Sequence, residues 1–318
     1  MIAESYRKQV ELLLQVLPHV AEVESFALKG GTAINLFHDE MPRLSVDIDL
    51  TYVPVEDRAT AMSGITAGLE AVRERLAGSG LPIQASLMPQ TDGQETKLLC
   101  RNEHAQIKVE VNTTIRGCLH PPENMAVVQA VQDEFGLFAA INVVSKGELY
   151  GGKICAALDR QHPRDLFDVH QLFEKGGITE NIKLGFIAML AGHNRPVHEM
   201  LSPNYQDQRQ LFESQFEGMT LAPFTYDDFE ATRERLISDI NAVLSEQDRQ
   251  FLIGLTAGEP DWSLYPIPGL EHMSAIKWKL LNIQRLKKDN PDKLGDMLRA
   301  LREHFAADKK NSLRKDME

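Results

Sequence analysis

Lys29-Gly30-Gly31-Thr32-Ala33-Ile34-Asn35-Leu36-Phe37 is followed, five residues later, by Arg43-Leu44-Ser45-Val46-Asp47-Ile48-Asp49-Leu50-Thr51-Tyr52. The first segment reads as a glycine turn opening a helix, and the second alternates as a strand expected over residues 44–53. Successive side chains of a strand point to opposite faces, so Asp47 and Asp49 share one face roughly 6 to 7 Å apart while Val46, Ile48 and Leu50 point to the core. Two carboxylates side by side on a half-buried strand repel one another and lose hydration, and a cation compensates both losses. Mg²⁺ takes hard oxygen ligands, commonly one or two carboxylates together with substrate phosphates. Taken alone, an Asp-x-Asp pair also suits a solvated strand edge.

Gly30 and Gly31 sharpen the reading. They follow the apolar run Phe26 to Leu28 and precede a helix turn over residues 32–37. Backbone N–H groups at a helix start bind phosphate, and glycine permits close approach; an ordinary strand-to-helix turn is the plainer alternative. A third carboxylate is expected on a later strand. Ala105 to Asn112 alternates cleanly, with Ile107, Val109 and Val111 on one face and Lys108, Glu110 and Asn112 on the other, which makes Glu110 the candidate. A charged outer face of an antiparallel strand reads the same way.

Further along, Gly147 and Gly152-Lys153 imitate a phosphate-binding loop after the apolar run Phe138 to Val144. Ile154 stands where that loop needs a Ser or Thr hydroxyl, and Glu148-Leu149-Tyr150 brings bulk where backbone must curl. The segment reads better as a helix, with Tyr150, Ile154, Ala157 and Leu158 in one apolar stripe and Lys153, Ala156 and Arg160 on another face. Lys153 then becomes a compact positive charge suited to a triphosphate, or a surface lysine. Arg164, Asp165 and Asp168 open the next helix after Pro163. Asp165 sits in the first turn, where the helix dipole favours it with or without chemistry, and Asp168 lies a turn further in. The histidines show no metal-ligand spacing, and no Gly-x-Ser-x-Gly marks a nucleophile.

Gly-Gly-Thr-Ala-hydrophobic at Gly30 to Ile34, Arg-x-Ser-x-Asp-Ile-Asp at Arg43 to Asp49, Lys-x-Glu-x-Asn at Lys108 to Asn112, and Lys153 followed by Arg160 and then Arg-Asp-Leu-x-Asp at Arg164 to Asp168 occur in order over the first half of the chain. This combination resembles the AbiEii/AbiGii toxin family of nucleotidyltransferases, from abortive-infection and type IV toxin–antitoxin systems. The resemblance implies an α+β fold, a nucleotidyltransferase-type mixed sheet with flanking helices followed by a helical lobe. It implies transfer of a nucleoside monophosphate from an NTP to an acceptor hydroxyl, with the 3′ end of tRNA as the acceptor and arrest of translation and growth as the outcome. Asp47, Asp49, Glu110, Lys153 and Asp168 become its catalytic candidates. Lys29, Gly30, Gly31, Thr32, Arg43, Ser45, Lys153, Arg164 and Asp165 become the nucleotide-binding candidates, and Asp47, Asp49 and Glu110 the ligands of one or two Mg²⁺ ions. Arg43 and Ser45 serve either phosphates and carboxylates or structure, and the family's downstream aspartate corresponds to Asp165 or Asp168, with Asp168 preferred. A cognate antitoxin, typically a winged-helix DNA-binding protein, is the implied partner. A small-molecule nucleotidyltransferase and a non-catalytic nucleotide- or partner-binding module stay open as other classes.

Composition bounds the remainder. The 318 residues suffice for one large or two smaller domains. Short alternating strands dominate residues 1–144, expected to form the nucleotidyltransferase core, and helical patterns fill residues 145–318. Cys100, Cys118 and Cys155 form no Cys-x-x-Cys, so neither a disulfide framework nor a zinc site is expected. No run approaches about 18 apolar residues, and Glu4, Arg7 and Lys8 stand where a signal peptide would be apolar. A cytoplasmic protein without a membrane partner is the expectation. The net charge of −12 ordinarily argues against nucleic acid, yet residues 277–318 carry 12 basic against 7 acidic residues. That segment reads as a polyanion-holding surface or as a solvated helical tail.

Overall fold

The computed structural model describes residues 4–89 and 95–315. Two compact units emerge, residues 1–145 with 212–224, and residues 146–211 with 225–318.

The first unit begins with α1 (Glu4–Ala21), whose Val10, Leu13, Leu14, Leu17 and Val20 recur at helical spacing and are buried. The chain then forms β1 (Phe26–Lys29), α2 (Gly30–Ala33) continued by a π-helical turn at Ile34–His38, β2 (Ile48–Tyr52) and α3 (Arg58–Gly78). Asp57 caps α3 by accepting from the N–H groups of Ala59 and Thr60 at 2.9 and 3.1 Å, which satisfies two orphan donors of its first turn. There follow β3 (Gln84–Pro89), β4 (Glu95–Arg101), β5 (Gln106–Asn112), β6 (Glu123–Ala126), α4 (Gln129–Phe135) and β7 (Ala140–Val143).

The strands make one seven-stranded sheet in the order β3-β4-β5-β2-β1-β7-β6. β2 runs parallel to β5 and antiparallel to β1, β1 runs parallel to β7, and both flanks of the sheet are antiparallel. The fold is therefore α+β around a mixed sheet, as the resemblance implied. α1 and α3 cover the sheet through apolar faces.

The strand expected over residues 44–53 begins only at Ile48. β1 ends at Lys29, opposite Asp49, because the chain turns into α2 at Gly30. Upstream of Ile48, residues 42–44 bond instead to the returning segment 212–224: Leu44 N–H donates to Met219 O (2.8 Å), Leu221 N–H to Pro42 O (3.0 Å), and Arg43 bridges Thr220. The buried rings of Phe212, Phe216 and Phe224 pack on one another and anchor that segment.

The second unit is helical: α5 (Lys146–Arg160), α6 (Pro163–Glu174), α7 (Glu180–Ala191), α8 (Val197–Leu201), α9 (Arg209–Gln215, which ends in the first unit), α10 (Tyr226–Val243), α11 (Glu246–Ala257), α12 (Ser274–Asp289) and α13 (Pro291–Lys315). Capping boxes start two of them, Thr225 with Asp228 and Ser245 with Asp248. α5 and α7 approach so closely that a Cβ on Gly151 would collide with the Gly185 backbone, and one on Gly185 with that of Gly147. Gly147, the first glycine of the apparent phosphate-binding loop, thus serves with Gly151 as the floor of a helix–helix contact. No helix among the described residues is long and apolar enough to cross a membrane.

Candidate active site

The central strands bring Lys29, Asp49 and Glu110, three of the first unit's candidates, into one row. Lys29 on β1 lies opposite Asp49 on β2, Asp49 beside Glu110 on β5, and Glu110 opposite Lys97 on β4. Registered neighbours share a sheet face, so two carboxylates lie between two lysines on one side of the sheet. The reverse side holds Ile48, Leu50, Val109 and Val111, all buried. Lys29, Asp49 and Glu110 are half-buried. Lys97 Nζ reaches Glu110 Oε1 at 2.9 Å. Sequence reading missed Lys97, since only the register between β4 and β5 reveals it.

Gly30 stands directly against this row. Its φ of +74° lies in the left-handed region that favours glycine. A Cβ at Gly30 would fall 2.6 Å from Asp49 Oδ2, and one at Gly31 would fall 2.5 Å from Arg43 Nη2 and 3.1 Å from Ser45 Oγ. The glycine pair therefore admits the Asp49 carboxylate and the Arg43 guanidinium against the backbone at the start of α2. Lys29, extended at the N-cap, adds no side-chain cap to that turn.

A buried lattice fixes the turn from beneath. Thr32, 1% exposed, donates from Oγ1 to the carbonyl of Asp47 and lies 3.0 Å from Ser45 Oγ. Asn35 donates to Gly31 O at 2.9 Å, and Arg43 donates to Leu44 O at 2.9 Å. Thr32, Arg43 and Ser45 are all buried. They tie α2 to the loop carrying Asp47, which is half-buried and lies one residue before β2. Asn35 was not singled out from the sequence, because one buried amide in a helix leaves no periodic signature.

Lys153, Arg164, Asp165 and Asp168 belong to the second unit. Lys153 Nζ sits 2.7 Å from Asp165 Oδ1 and 3.0 Å from Asp168 Oδ2, and Arg160 reaches Asp165 at 2.5 Å. Lys153 is 7% exposed, Asp165 1% and Asp168 0%, so Lys153 is no surface lysine. Burial works to raise the Asp165 pKa, but Lys153 and Arg160 outweigh it and hold the carboxyl well below the usual range. Gln161, at φ +48°, makes the turn between α5 and α6 that juxtaposes these groups. It is held by Asn204 O (2.7 Å), Gln206 N (3.0 Å) and Arg233 Nη1 (3.2 Å). No sequence pattern marked it.

Asp47, Asp49 and Glu110 offer hard oxygen donors of the kind Mg²⁺ takes when substrate phosphates complete its shell. Among the described residues no three His, Cys, Asp or Glu side chains converge as a complete metal cage. The donor set fits an ion shared with a phosphate ligand better than a structural ion.

The family model described as the nucleotidyl transferase AbiEii toxin of type IV toxin–antitoxin systems matches residues 11–280. Among solved structures, the MenT4 nucleotidyltransferase toxin of Mycobacterium tuberculosis H37Rv superimposes with a TM-score of 0.61 at 15% identity, covering 88% of this chain and 93% of that one. At that identity the likeness is one of fold. No curated protein matches the chain in sequence.

Proposed function

Since the chain belongs to the AbiEii family of nucleotidyltransferase toxins, we propose that it moves a nucleoside monophosphate from an NTP to the 3′ hydroxyl of an RNA, with tRNA as the acceptor, and thereby stops translation and growth. The carrying observation is the Lys29–Asp49–Glu110 row with Gly30 packed against the Asp49 carboxylate.

In this reading the N–H groups at Gly30 and Gly31 receive the NTP phosphates, with Lys29 adding charge. Thr32, Arg43 and Ser45 act from beneath by holding the glycine turn and the Asp47 loop at fixed spacing. Asp47, Asp49 and Glu110 would hold one or two Mg²⁺, which supply Lewis-acid stabilisation of phosphate charge. The acceptor oxygen attacks the α-phosphorus and the bond from that phosphorus to the bridging oxygen breaks. Pyrophosphate departs with that bond's electron pair, and the hydroxyl proton passes to a carboxylate, for which Glu110 is the candidate. Activity also depends on Lys153, Arg164, Asp165 and Asp168, and for Lys153 and the two aspartates we assign that dependence first to the ion cluster they build within their own unit. The type IV family implies an antitoxin; a winged-helix protein in the same cytoplasm is the form proposed.

The test incubates the purified protein with Mg²⁺, each α-³²P-labelled NTP in turn and total bacterial RNA, beside Asp49→Ala. Label at tRNA size that disappears in the variant supports the reading and names the base. Label on a small molecule instead moves the assignment to a small-molecule nucleotidyltransferase. No label anywhere, with growth arrest persisting in the variant, moves it to a binding module.

A further inference from the structure

Helix α12 carries a basic surface with an open aromatic ring, on a chain whose net charge is −12. Lys277, Trp278, Leu281, Gln284, Arg285 and Lys288 are all exposed, and their spacing gathers them on one side of the helix. Ile276, Lys279 and Ile283 are buried on the other. Trp278 is 48% exposed and Leu281 49%. The Arg285 guanidinium lies over the Trp278 ring, 6.0 Å from its centroid. Among the described residues no carboxylate pairs with Lys277, Arg285 or Lys288, whereas Lys287, off this face, is paired with Glu259 at 2.7 Å. The helix's one carboxylate, Asp289, is its last residue.

A solvated helix face would keep its cations without displaying an indole. A protein-binding face would need far more apolar area than two side chains, because specific interfaces bury about 800 Å² per partner. Cations spread along some 16 Å of helix axis around an open aromatic ring match a single-stranded nucleic acid, whose phosphates seek the charges and whose bases stack on the ring. We propose that this face of α12 binds single-stranded RNA, with backbone phosphates at Lys277, Arg285 and Lys288 and an unpaired base on Trp278. The proposal rests on the reading of the acceptor as RNA and adds the surface by which the second unit holds it.

Trp278 and Trp262 are the chain's two tryptophans, so Trp262→Phe leaves Trp278 as the sole indole reporter. The full chain carrying that change is titrated with oligoadenylate RNA of about 12 nucleotides, within the span one single-strand site occupies. Quenching that saturates, and that weakens as salt rises, is expected. Neutralising the three cations together (Lys277→Gln, Arg285→Gln, Lys288→Gln) should lower the slope of log affinity against log salt by about 2. Trp278→Ala should loosen binding roughly tenfold, measured by filter retention. Retention without quenching, an unchanged slope, or no binding by the unsubstituted chain would overturn the assignment. Quenching by oligoglutamate but not by RNA would overturn it in favour of an acidic protein partner. The two readings fail separately: quenching without labelled RNA retains the surface and removes the transfer reaction. Labelled RNA with an unchanged KM in the α12 variants does the reverse.

Discussion

The two units treat the same pair of side-chain types, lysine and aspartate, in opposite ways. In the helical unit Lys153, Asp165 and Asp168 are sealed from solvent and, with Arg160, balance to zero. In the sheet unit Asp49 and Glu110 stay half-open on one face of the central strands, flanked by Lys29 and Lys97, and Asp47 stays half-open in the loop just before β2. A buried, mutually neutralised cluster is costly to break from one side, since the remaining charge loses its partner in low dielectric. Half-open carboxylates keep part of their hydration and stay available to a cation brought by substrate. We propose that the buried cluster contributes first to stability and the half-open row to chemistry, and each part of that proposal can be broken separately.

The largest effect is expected at Asp49→Asn, which should cut nucleotidyl transfer on the order of 10³-fold, about 4 kcal/mol, while the melting temperature stays near that of the unsubstituted chain. Equal loss of stability would make Asp49 structural and erase the contrast. Asp168→Ala comes next, at about 3 kcal/mol of stability by chemical denaturation, because it removes one of the two carboxylates around the buried Lys153 and leaves the cluster with an uncompensated positive charge. Adding Lys153→Met should recover much of that loss, and strict additivity in the double-mutant cycle would contradict a coupled pair.

Gly30→Ala should cost about 2 kcal/mol through its left-handed φ and the collision with Asp49. Transfer should fall with it by roughly tenfold or more. A smaller effect at accessible pH concerns Asp165, whose folded pKa is depressed. Its stabilisation is fully present above the unfolded value of about 3.9 and is lost as pH falls from there toward the lower folded value. Denaturation curves should therefore weaken with acid more steeply for the unsubstituted chain than for Asp165→Asn; parallel decline would place the acid sensitivity elsewhere. Least of all, Arg160→Ala should cost under about 1 kcal/mol, because its side chain is 62% exposed and exposed pairs are weak. A loss of several kcal/mol would mean that Arg160 belongs to the buried cluster in full.

Much of the architecture was readable in advance. The alternation expected over residues 105–112 is observed as the strand Gln106–Asn112 with the expected buried face, because that stretch carries unbroken periodicity. β6 escaped because Glu123–Ala126 is a short, largely exposed edge strand, where no buried face imposes alternation. The site was legible where it is local. Gly30, Asp47 and Asp49 lie within 20 residues, so their types and spacing mark them as candidates.

By itself the sequence determined the family and the α+β class, because the order and spacing of its motifs are local properties, and it offered the carboxylates, glycines and lysines of a candidate site. Tertiary structure alone decided that Lys97 faces Glu110, that residues 212–224 return to hold the segment before Asp47, and that Lys153 is buried against Asp165 and Asp168. Those relations depend on strand register, chain return and helix approach. Each is set by how distant apolar faces bury one another, a property of the whole packed chain that no local stretch encodes.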